Sequence, residues 1–333
     1  SDRKQRVVID GEKSQWTYIK SGVPQGSILG PLLFLIYTDD IVDRIQCDIL
    51  LFADDTALLE PLTDGNNSVQ KINTDLDTLS DWASQWLVKF NPTKTKYLIF
   101  SKKSVPNQYG PIFLQGKEVT EVSTHKHLGL TFNNKMTWDD HIQKICKDAG
   151  KRLATIKRLS SSITPCTKLH LYCTFVRPIL EYASVVFDNC TQSQVDQLEH
   201  IQRQGALAAT RAYKHTSSAT LYQECGLLTL KTRRIIAKLV LFYKIRHNIA
   251  PRYLRDLIPD AGQQTDYNLR NQHDIRLPHI QKNYFLKSYI PSSIKLWNGM
   301  AADVRVIAEV ETFMLELARS YGKLECYKPY LRV

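Results

Sequence analysis

No stretch of this sequence is apolar for long enough to cross a bilayer, which takes roughly 20 residues. The longest run, Pro31 to Tyr37, meets Asp39 and Asp40 almost at once, so no membrane partner is expected. An initiating Met, a signal peptide and a transit sequence are all lacking. The chain starts at Ser1 and reaches strand-forming residues almost immediately, so Ser1 reads as an internal cut. Paired cysteines are lacking too. Cys47, Cys146, Cys166, Cys173, Cys190, Cys225 and Cys326 are odd in number and show no two-residue spacing of the zinc kind. That argues against a disulfide framework or a zinc module and for reduced thiols in an intracellular protein. Internal repeats and low-complexity tracts are absent.

What is present suits an ordinary globular chain. Its 333 residues, 43% of them apolar, are enough for two or three domains with buried cores. The net charge of +11 is uneven: residues 1–100 hold 10 Lys+Arg against 14 Asp+Glu, which leaves +15 for residues 101–333. An acidic part suits a cation site and a basic part suits a polyanion. A generic basic surface would carry the same charge.

The stretch Phe52-Ala53-Asp54-Asp55 sits between Ile49-Leu50-Leu51-Phe52 and Thr56-Ala57-Leu58-Leu59. Two apolar runs around a tight turn predict a hairpin of paired strands buried on at least one face. Two adjacent carboxylates there need a positive partner, since an unpaired buried carboxylate costs several kcal/mol. Magnesium, or manganese in its place, takes hard oxygen ligands and shares carboxylates with substrate phosphates. Alone, an Asp-Asp pair is also a common solvated hairpin tip. Upstream, Ser21-Gly22-Val23-Pro24-Gln25-Gly26 predicts a loop whose glycines expose amides and whose Pro24 stiffens it for contact with a nucleotide. It leads into an apolar helix from Ser27–Pro31 through Tyr37 to Ile41, with Ser27 as cap and Pro31 in the first turn.

The segment Ser21 to Tyr37, ending 17 residues before Asp54, together with Phe52 to Asp55, resembles the two central palm motifs of reverse transcriptases, in the wording of non-LTR (LINE-type, Jockey-like) retrotransposon polymerases. The resemblance implies an α+β fold: a partial polymerase palm with an antiparallel sheet and flanking helices over 1–135, a helical basic thumb-like domain over 136–250, and a C-terminal segment over 251–333. It also implies RNA-directed DNA polymerisation from a primer 3′ hydroxyl at nicked target DNA. The partners would be an RNA template, a DNA primer or target and deoxynucleoside triphosphates, in the nucleus and cytoplasm. Asp54 would ligate the metal directly and Asp55 would support it. Gln25 and Gly26, beside Pro24, would lie against the incoming nucleotide and its template partner. Phe90 to Phe100 resembles the next palm motif. Lys94 there would neutralise the triphosphate or protonate pyrophosphate, or else be an ordinary surface lysine. His127 to Phe132, a strand opened by Gly129, resembles the primer grip, or else belongs to another sheet-edge hairpin.

The sequence departs from that family in one respect. Another palm Asp is needed, and nothing before Ser21 supplies it: Asp2 lies in a charged run and Asp10 at a hairpin turn. The 333 residues alone are therefore expected not to polymerise. The alternative is a non-catalytic nucleic-acid-binding remnant, and a third reading is a helical scaffold.

The rest follows from periodicity. Val69, Ile72, Leu76, Leu79, Ala83 and Trp86 predict an amphipathic helix, with Trp82 and Trp86 as core. Asp10-Gly11 and Gln115-Gly116 predict hairpins. Asp39, Asp40 and Asp43 read as a solvated helix end. Trp138, Ile142, Ile145, Ala149, Leu153 and Ile156 make another helical stripe, capped by Thr137 with Asp140. Its opposite face carries Lys144, Lys147, Lys151, Lys157 and Arg158, five cations over roughly 20 Å, as a phosphate-tracking surface would. Further helices are expected at Thr167–Phe187, Gln194–Ala209 and Thr232–His247. Residues 201–250 hold nine Lys+Arg and one Asp+Glu, and Arg233, Arg234, Lys238, Lys244 and Arg246 are expected to touch nucleic acid. Beyond Pro251 a linker or irregular loop is expected to Asn283.

Overall fold

The computed structural model describes residues 3–20, 22–24, 26–62, 65–101, 109–159, 163–210, 212–259, 274–277 and 283–321. These gather into two compact units, Ser1–Ser123 and Thr124–Val333. The fold is a mixture of helices and small, mostly antiparallel sheets, an α+β chain.

In the first unit, β1 (Lys4–Gln5) pairs with β4 (Thr17–Tyr18), and β2 (Val8–Ile9) with β3 (Glu12–Lys13). Asp10 and Gly11 turn between the inner strands with φ of 50° and 89°, the two positive angles a tight primed turn demands. Helix α1 (Leu29–Tyr37) follows. Ser27 Oγ accepts from the Gly30 amide at 3.0 Å, satisfying one of the first-turn donors as expected. The helix stops at Tyr37 and a 3-10 turn, Asp39–Val42, takes over. Next come β5 (Asp48–Phe52) and β6 (Asp55–Leu59), then the long α2 (Gly65–Gln85). After α2, Asn91 Oδ1 accepts from the amides of Thr93 and Lys94, a side-chain turn that feeds β7 (Lys96–Tyr97). A hairpin of β8 (Phe113–Leu114) and β9 (Lys117–Glu118) turns at Gln115-Gly116, and β10 (Thr120–Glu121) runs parallel to β7. The core of this unit joins Ile41, Val69, Leu76, Leu79, Ile112 and Val119.

One antiparallel palm sheet was expected; among the described residues the strands instead make two-stranded ladders, one of them parallel. Most run two residues per strand, too short to recruit a third neighbour. Trp82 packs against the core, but Trp86 stays partly exposed, edge-on to Tyr37 at 5.4 Å.

The second unit opens with β11 (Thr124–His127) and β12 (Leu130–Asn133), joined by a two-residue turn in which Leu128 and Gly129 both take positive φ. The single strand expected across 127–132 is therefore a hairpin. Its tip is fixed by Tyr182, whose hydroxyl donates to the Leu128 carbonyl at 3.0 Å, and whose ring leaves no room for a Cβ on Gly129. Helix α3 (Asp139–Arg158) buries Ile142, Ile145, Ala149, Leu153 and Ile156, the predicted stripe. Thr137 does not cap it, because its amide and hydroxyl both bond to Asn133. A reciprocal cap forms elsewhere. Gln194 Oε1 accepts from the Thr191 amide at 2.7 Å and starts α6 (Gln192–Thr210).

Between them, α4 (Pro165–Leu171) passes through a π turn, Tyr172–Val176, into α5 (Arg177–Glu181). Pro178 explains the turn: it has no amide for the Thr174 carbonyl, and its ring crowds that carbonyl. This helical run ends six residues before the expected Phe187, as Ala183 turns to a φ of 52°. The π turn buries Tyr172 against Gly205 of α6, where an added Cβ would lie 2.5 Å from the ring. Here glycine is required by space. Helix α7 (Ser218–Cys225) was not expected. Ser217 caps it and left-handed Gly226 ends it, with the Leu227 amide bonding back to the Tyr222 carbonyl. Then follow α8 (Leu230–Arg246), α9 (Arg252–Arg255), α10 (Asn283–Leu286), α11 (Tyr289–Asn298), α12 (Ala302–Arg305) and α13 (Val310–Tyr321). The linker expected at 251–283 falls largely outside the described residues, though within it Ile275 is buried and clamped by both amide atoms of Asn298.

Two hydrophobic clusters fill the unit. One runs from Leu130 to Leu230 around Ile142, Tyr172 and Leu198. The other runs from Ile236 to Leu317 around Phe242, Trp297 and Phe313. Among the described residues no helix is long and apolar enough to cross a membrane, and Cys47, Cys146, Cys166, Cys173, Cys190 and Cys225 are free thiols.

Candidate functional site

The β5–β6 register pairs Asp48 with Leu59 and runs to Phe52 opposite Asp55, which leaves Ala53 and Asp54 as a two-residue loop. Such a loop needs a positive φ at its first residue, and Ala53 supplies it at 50° without being glycine. A Cβ-bearing residue held there stores strain of order 1 kcal/mol, the kind that clusters at working sites. Asp54 thus rides on the turn and Asp55 on the first residue of β6. Both are exposed, and among the described residues neither side chain has a hydrogen bond or ion pair. The burial that was expected to make them costly is absent.

Of the hairpin, the cross-strand pair Ile49 and Leu58 packs on the core. Leu50, Leu51, Phe52 and Leu59 are exposed, Phe52 by 64%, against the expectation of one fully buried face. Among the described residues no third strand pairs with β5 or β6, which leaves that face uncovered.

What fixes the hairpin is α2. Asp75 is buried and its carboxylate accepts from the amides of Gln46 at 3.1 Å and Cys47 at 2.7 Å, just where β5 begins. Lys71, one turn earlier, donates to Glu60 at 2.7 Å, just where β6 ends. Ser68 donates to the Pro61 carbonyl at 2.9 Å. Residues 68, 71 and 75 follow the i, i+3, i+7 spacing of one helix face, so one face of α2 grips both ends of the hairpin. Burial alone would raise the Asp75 pKa, but hydrogen bonds from the Cys47 thiol and the Cys47 and Gln46 amides outweigh it and hold the carboxyl below its usual range. The Cys47 thiol is pushed up to about 12, by burial first and then by Asp75. The Lys71 ammonium is raised, first by its hydrogen bond to Glu60.

Asp40 also differs from its expected role. Its carboxylate accepts from the indoles of Trp82 at 2.8 Å and Trp86 at 3.1 Å, tying the α1–β5 connection to α2. Sequence reasoning passed over Asp75, although an aspartate among Ile72, Leu76 and Leu79 on an apolar face was the signal to find it.

The glycine loop packs against the first turn of α1. Gly26 takes a φ of 84°, the Ser27 amide donates to the Pro24 carbonyl at 3.2 Å, and Arg3 donates to the Gly22 carbonyl at 2.8 Å. Gln25 lies outside the described residues. Lys94 is exposed in the Asn91 turn. Among the described residues, no hydrogen bond or ion pair joins Lys94, Pro24 or Gly26 to Asp54 or Asp55, and no three His, Cys, Asp or Glu side chains gather to hold a metal ion. Asp54 and Asp55 offer two hard oxygen donors at an open tip, which fits a shared divalent ion as part of its ligand set and not the whole of it.

On α3, Lys144, Lys147, Lys151, Lys157 and Arg158 are all exposed, and so is Arg152, which had not been singled out. At about 100° per residue, Lys144, Lys147, Lys151 and Arg158 fall within about 60° of one another. They form one cationic stripe. Lys157 lies about 100° round the helix by the same spacing and donates to Gln204 at 2.7 Å.

The cations of α8 are placed otherwise. Arg233 is bound by Glu181, and Arg234, 2% exposed, lies 3.6 Å from Asp188. Lys238, 2% exposed, donates to Asp188 and, at 3.0 Å, to Ser292. The expected exposure of Arg233 and Arg234 is therefore not found. Carboxylates some fifty positions earlier in the chain draw them inward, since a buried cation must be paired.

Compared with known proteins, residues 3–132 match the family described as reverse transcriptase (RNA-dependent DNA polymerase). A probable RNA-directed DNA polymerase from transposon BS of Drosophila melanogaster is 27% identical over 241 residues, 69% of this chain and 27% of that protein. The RNA-directed DNA polymerase from mobile element jockey of the same fly is 30% identical over 217 residues, 60% of this chain and 23% of that protein. A probable RNA-directed DNA polymerase from its transposon X-element is 25% identical over 64% of this chain and 24% of that protein. The chain spans about a quarter of the length of these curated relatives.

Proposed function

We propose that this chain, whose residues 3–132 match the reverse transcriptase family and which is similar to RNA-directed DNA polymerases of fly mobile elements, is part of a LINE-type, non-LTR retrotransposon polymerase that adds deoxynucleotides to a primer 3′ hydroxyl on an RNA template. One observation supports this above the others: the two-residue loop that sets Asp54 beside Asp55 at an exposed tip, on a hairpin gripped at both ends by α2. On this reading Asp54 holds a magnesium or manganese ion directly and Asp55 steadies the set. When bound, such ions activate the attacking hydroxyl and stabilise the leaving pyrophosphate. Pro24 and Gly26 shape the loop that, with Gln25, receives the nucleotide and its template partner, and Lys94 answers the charge of the triphosphate. The cationic stripe of α3 tracks nucleic-acid phosphates. We read 1–135 as part of a palm, 136–250 as a thumb-like domain and 251–333 as a C-terminal segment, in a protein working in the nucleus and cytoplasm.

Two-metal chemistry needs more than two carboxylates, and no described residue adds a third. The 333-residue chain alone is accordingly expected to show no magnesium-dependent extension of a primer annealed to RNA, measured by gel with labelled primer. Extension by this chain alone, lost on Asp54→Ala, would overturn that requirement. Failure of a longer polypeptide that supplies a further carboxylate would favour the second reading, a nucleic-acid-binding remnant.

A further inference from the structure

Past the reverse transcriptase match, residues 211–217 join α6 to α7, and Tyr213 among them is the most exposed aromatic side chain of the described residues, at 90%. The backbone around it is fixed. From α6, Arg203 donates to the carbonyls of Lys214 at 2.6 Å and Thr216 at 2.9 Å. The Thr216 amide donates to the Tyr213 carbonyl at 2.9 Å, and Ser217 caps α7. Among the described residues the ring and hydroxyl of Tyr213 meet no hydrogen-bond or ring partner. A well-held loop thus presents a ring that no described residue uses.

The charge around the ring has one sign. Between Glu199 and Glu224 the sequence has no Asp or Glu and three cations, Arg203, Arg211 and Lys214. Lys214 and His215, next to Tyr213, are exposed. The cationic helix α3 ends close by. Gln194, near the start of α6, donates to Asp139 at the start of α3 at 2.7 Å, and Lys157, near the end of α3, donates to Gln204 at 2.7 Å. The two helices therefore run side by side in one direction, and Gln204 is the neighbour of Arg203, which holds the loop. Lys157, Arg158 and Tyr213 share one end of the pair.

We propose that Tyr213 stacks on an unpaired base of a nucleic-acid strand. Every base offers a π face to an aromatic ring, and the cations beside the ring answer the phosphates on either side. The core of a protein interface is depleted of charge, whereas Lys214 and His215 flank this ring. Because the loop is already ordered, little freedom is lost when the base arrives. This contact rests on the reading of α3 as a phosphate track and adds a base to it.

The test is binding of the full chain, by fluorescence anisotropy over a range of salt, to a labelled oligoadenylate and to a backbone of equal length without bases. Tyr213→Ala should weaken binding of the oligoadenylate about tenfold, the order of one stacked base, and leave the abasic strand unaffected. It should also leave the log–log salt slope unchanged, since a ring releases no counterions. Tyr213→Phe keeps the ring and should bind like the parent. Lys144→Gln with Lys147→Gln should instead weaken both strands and flatten the slope by about 1.4, two contacts at roughly 0.7 each. A loss in that pair and none in Tyr213→Ala would leave the phosphate track standing and overturn the stack. An equal loss of both strands in Tyr213→Ala would overturn it too, as would a loss in Tyr213→Phe as large as in Tyr213→Ala. Binding of neither strand by the parent would overturn the stack and the track together.

Discussion

Replacing Asp54 with alanine, in a polymerase that contains these residues together with its remaining metal ligand, should lower primer extension about a thousandfold or more and leave thermal unfolding unchanged. The two halves of the result have separate causes. Asp54 is exposed on a two-residue loop and has no side-chain partner among the described residues, so its removal falls in the range of surface substitutions, about ±0.5 kcal/mol. A carboxylate that holds a catalytic ion contributes several kcal/mol to the transition state, and about 4 kcal/mol is three decades in rate. Asp54→Asn keeps the shape of the turn and loses the charge, so it should fall nearly as far. Asp55→Ala should fall less. Activity within tenfold of the parent, or a lower melting temperature at equal activity, would mean that Asp54 shapes the turn and does not hold an ion.

The second large effect is on stability. Asp75→Ala is expected to cost about 1–4 kcal/mol, because it strands the buried amide of Cys47, at roughly 1–3 kcal/mol, and the part-buried amide of Gln46, at less. Denaturant titration of the full chain reads it directly, and a loss under 1 kcal/mol would show that water or a shifted backbone takes over those amides. The pH dependence has a definite sign. A carboxyl held below its usual range contributes its stability above the ordinary carboxylate pKa, near 4, and loses it as pH falls through the lower folded value. Acid should therefore weaken the parent below about pH 4, while Asp75→Asn loses that component. The Cys47 thiol acts at the other end. Raised from 9.0 to about 12, it contributes stability below pH 9 that is lost as pH rises towards 12. Because Cys47 immediately precedes β5, either loss loosens the support of Asp54.

Elements with a strong period or a definite turn chemistry could be read before any coordinate. The stripe from Ile142 to Ile156 is buried as predicted, and Asp10-Gly11 and Gln115-Gly116 turn as such pairs must. Both depend on neighbours within a few residues. What escaped depends on distant ones. Nothing local distinguishes Arg234 and Lys238 from surface cations until Asp188 arrives from the turn after α5. Likewise Asp40 looks like a frayed helix end until the indoles of Trp82 in α2 and Trp86 just after it reach it. The Leu128-Gly129 turn was hidden for another reason: leucine at a φ of 44° is a conformation its own preferences oppose, imposed by the strands on either side and by Tyr182. At the candidate site, the tight turn that carries Asp54 and Asp55 was legible in the two apolar runs around it. The clamp of Ser68, Lys71 and Asp75 that supports them is a matter of tertiary register.

Helix α1 buries only Gly30, while Ile28, Leu29, Leu32, Leu33, Leu35 and Ile36 lie open to water. An apolar face of that kind marks an association surface, and it sets the solution behaviour of the isolated chain. Sulfate and similar salts screen the lysines of α3, yet they strengthen the burial of apolar surface. The two surfaces thus answer ionic strength in opposite directions. Salt that weakens the field of the α3 stripe thus favours burial of the α1 face, and a mild detergent at low salt separates the two effects where salt alone does not.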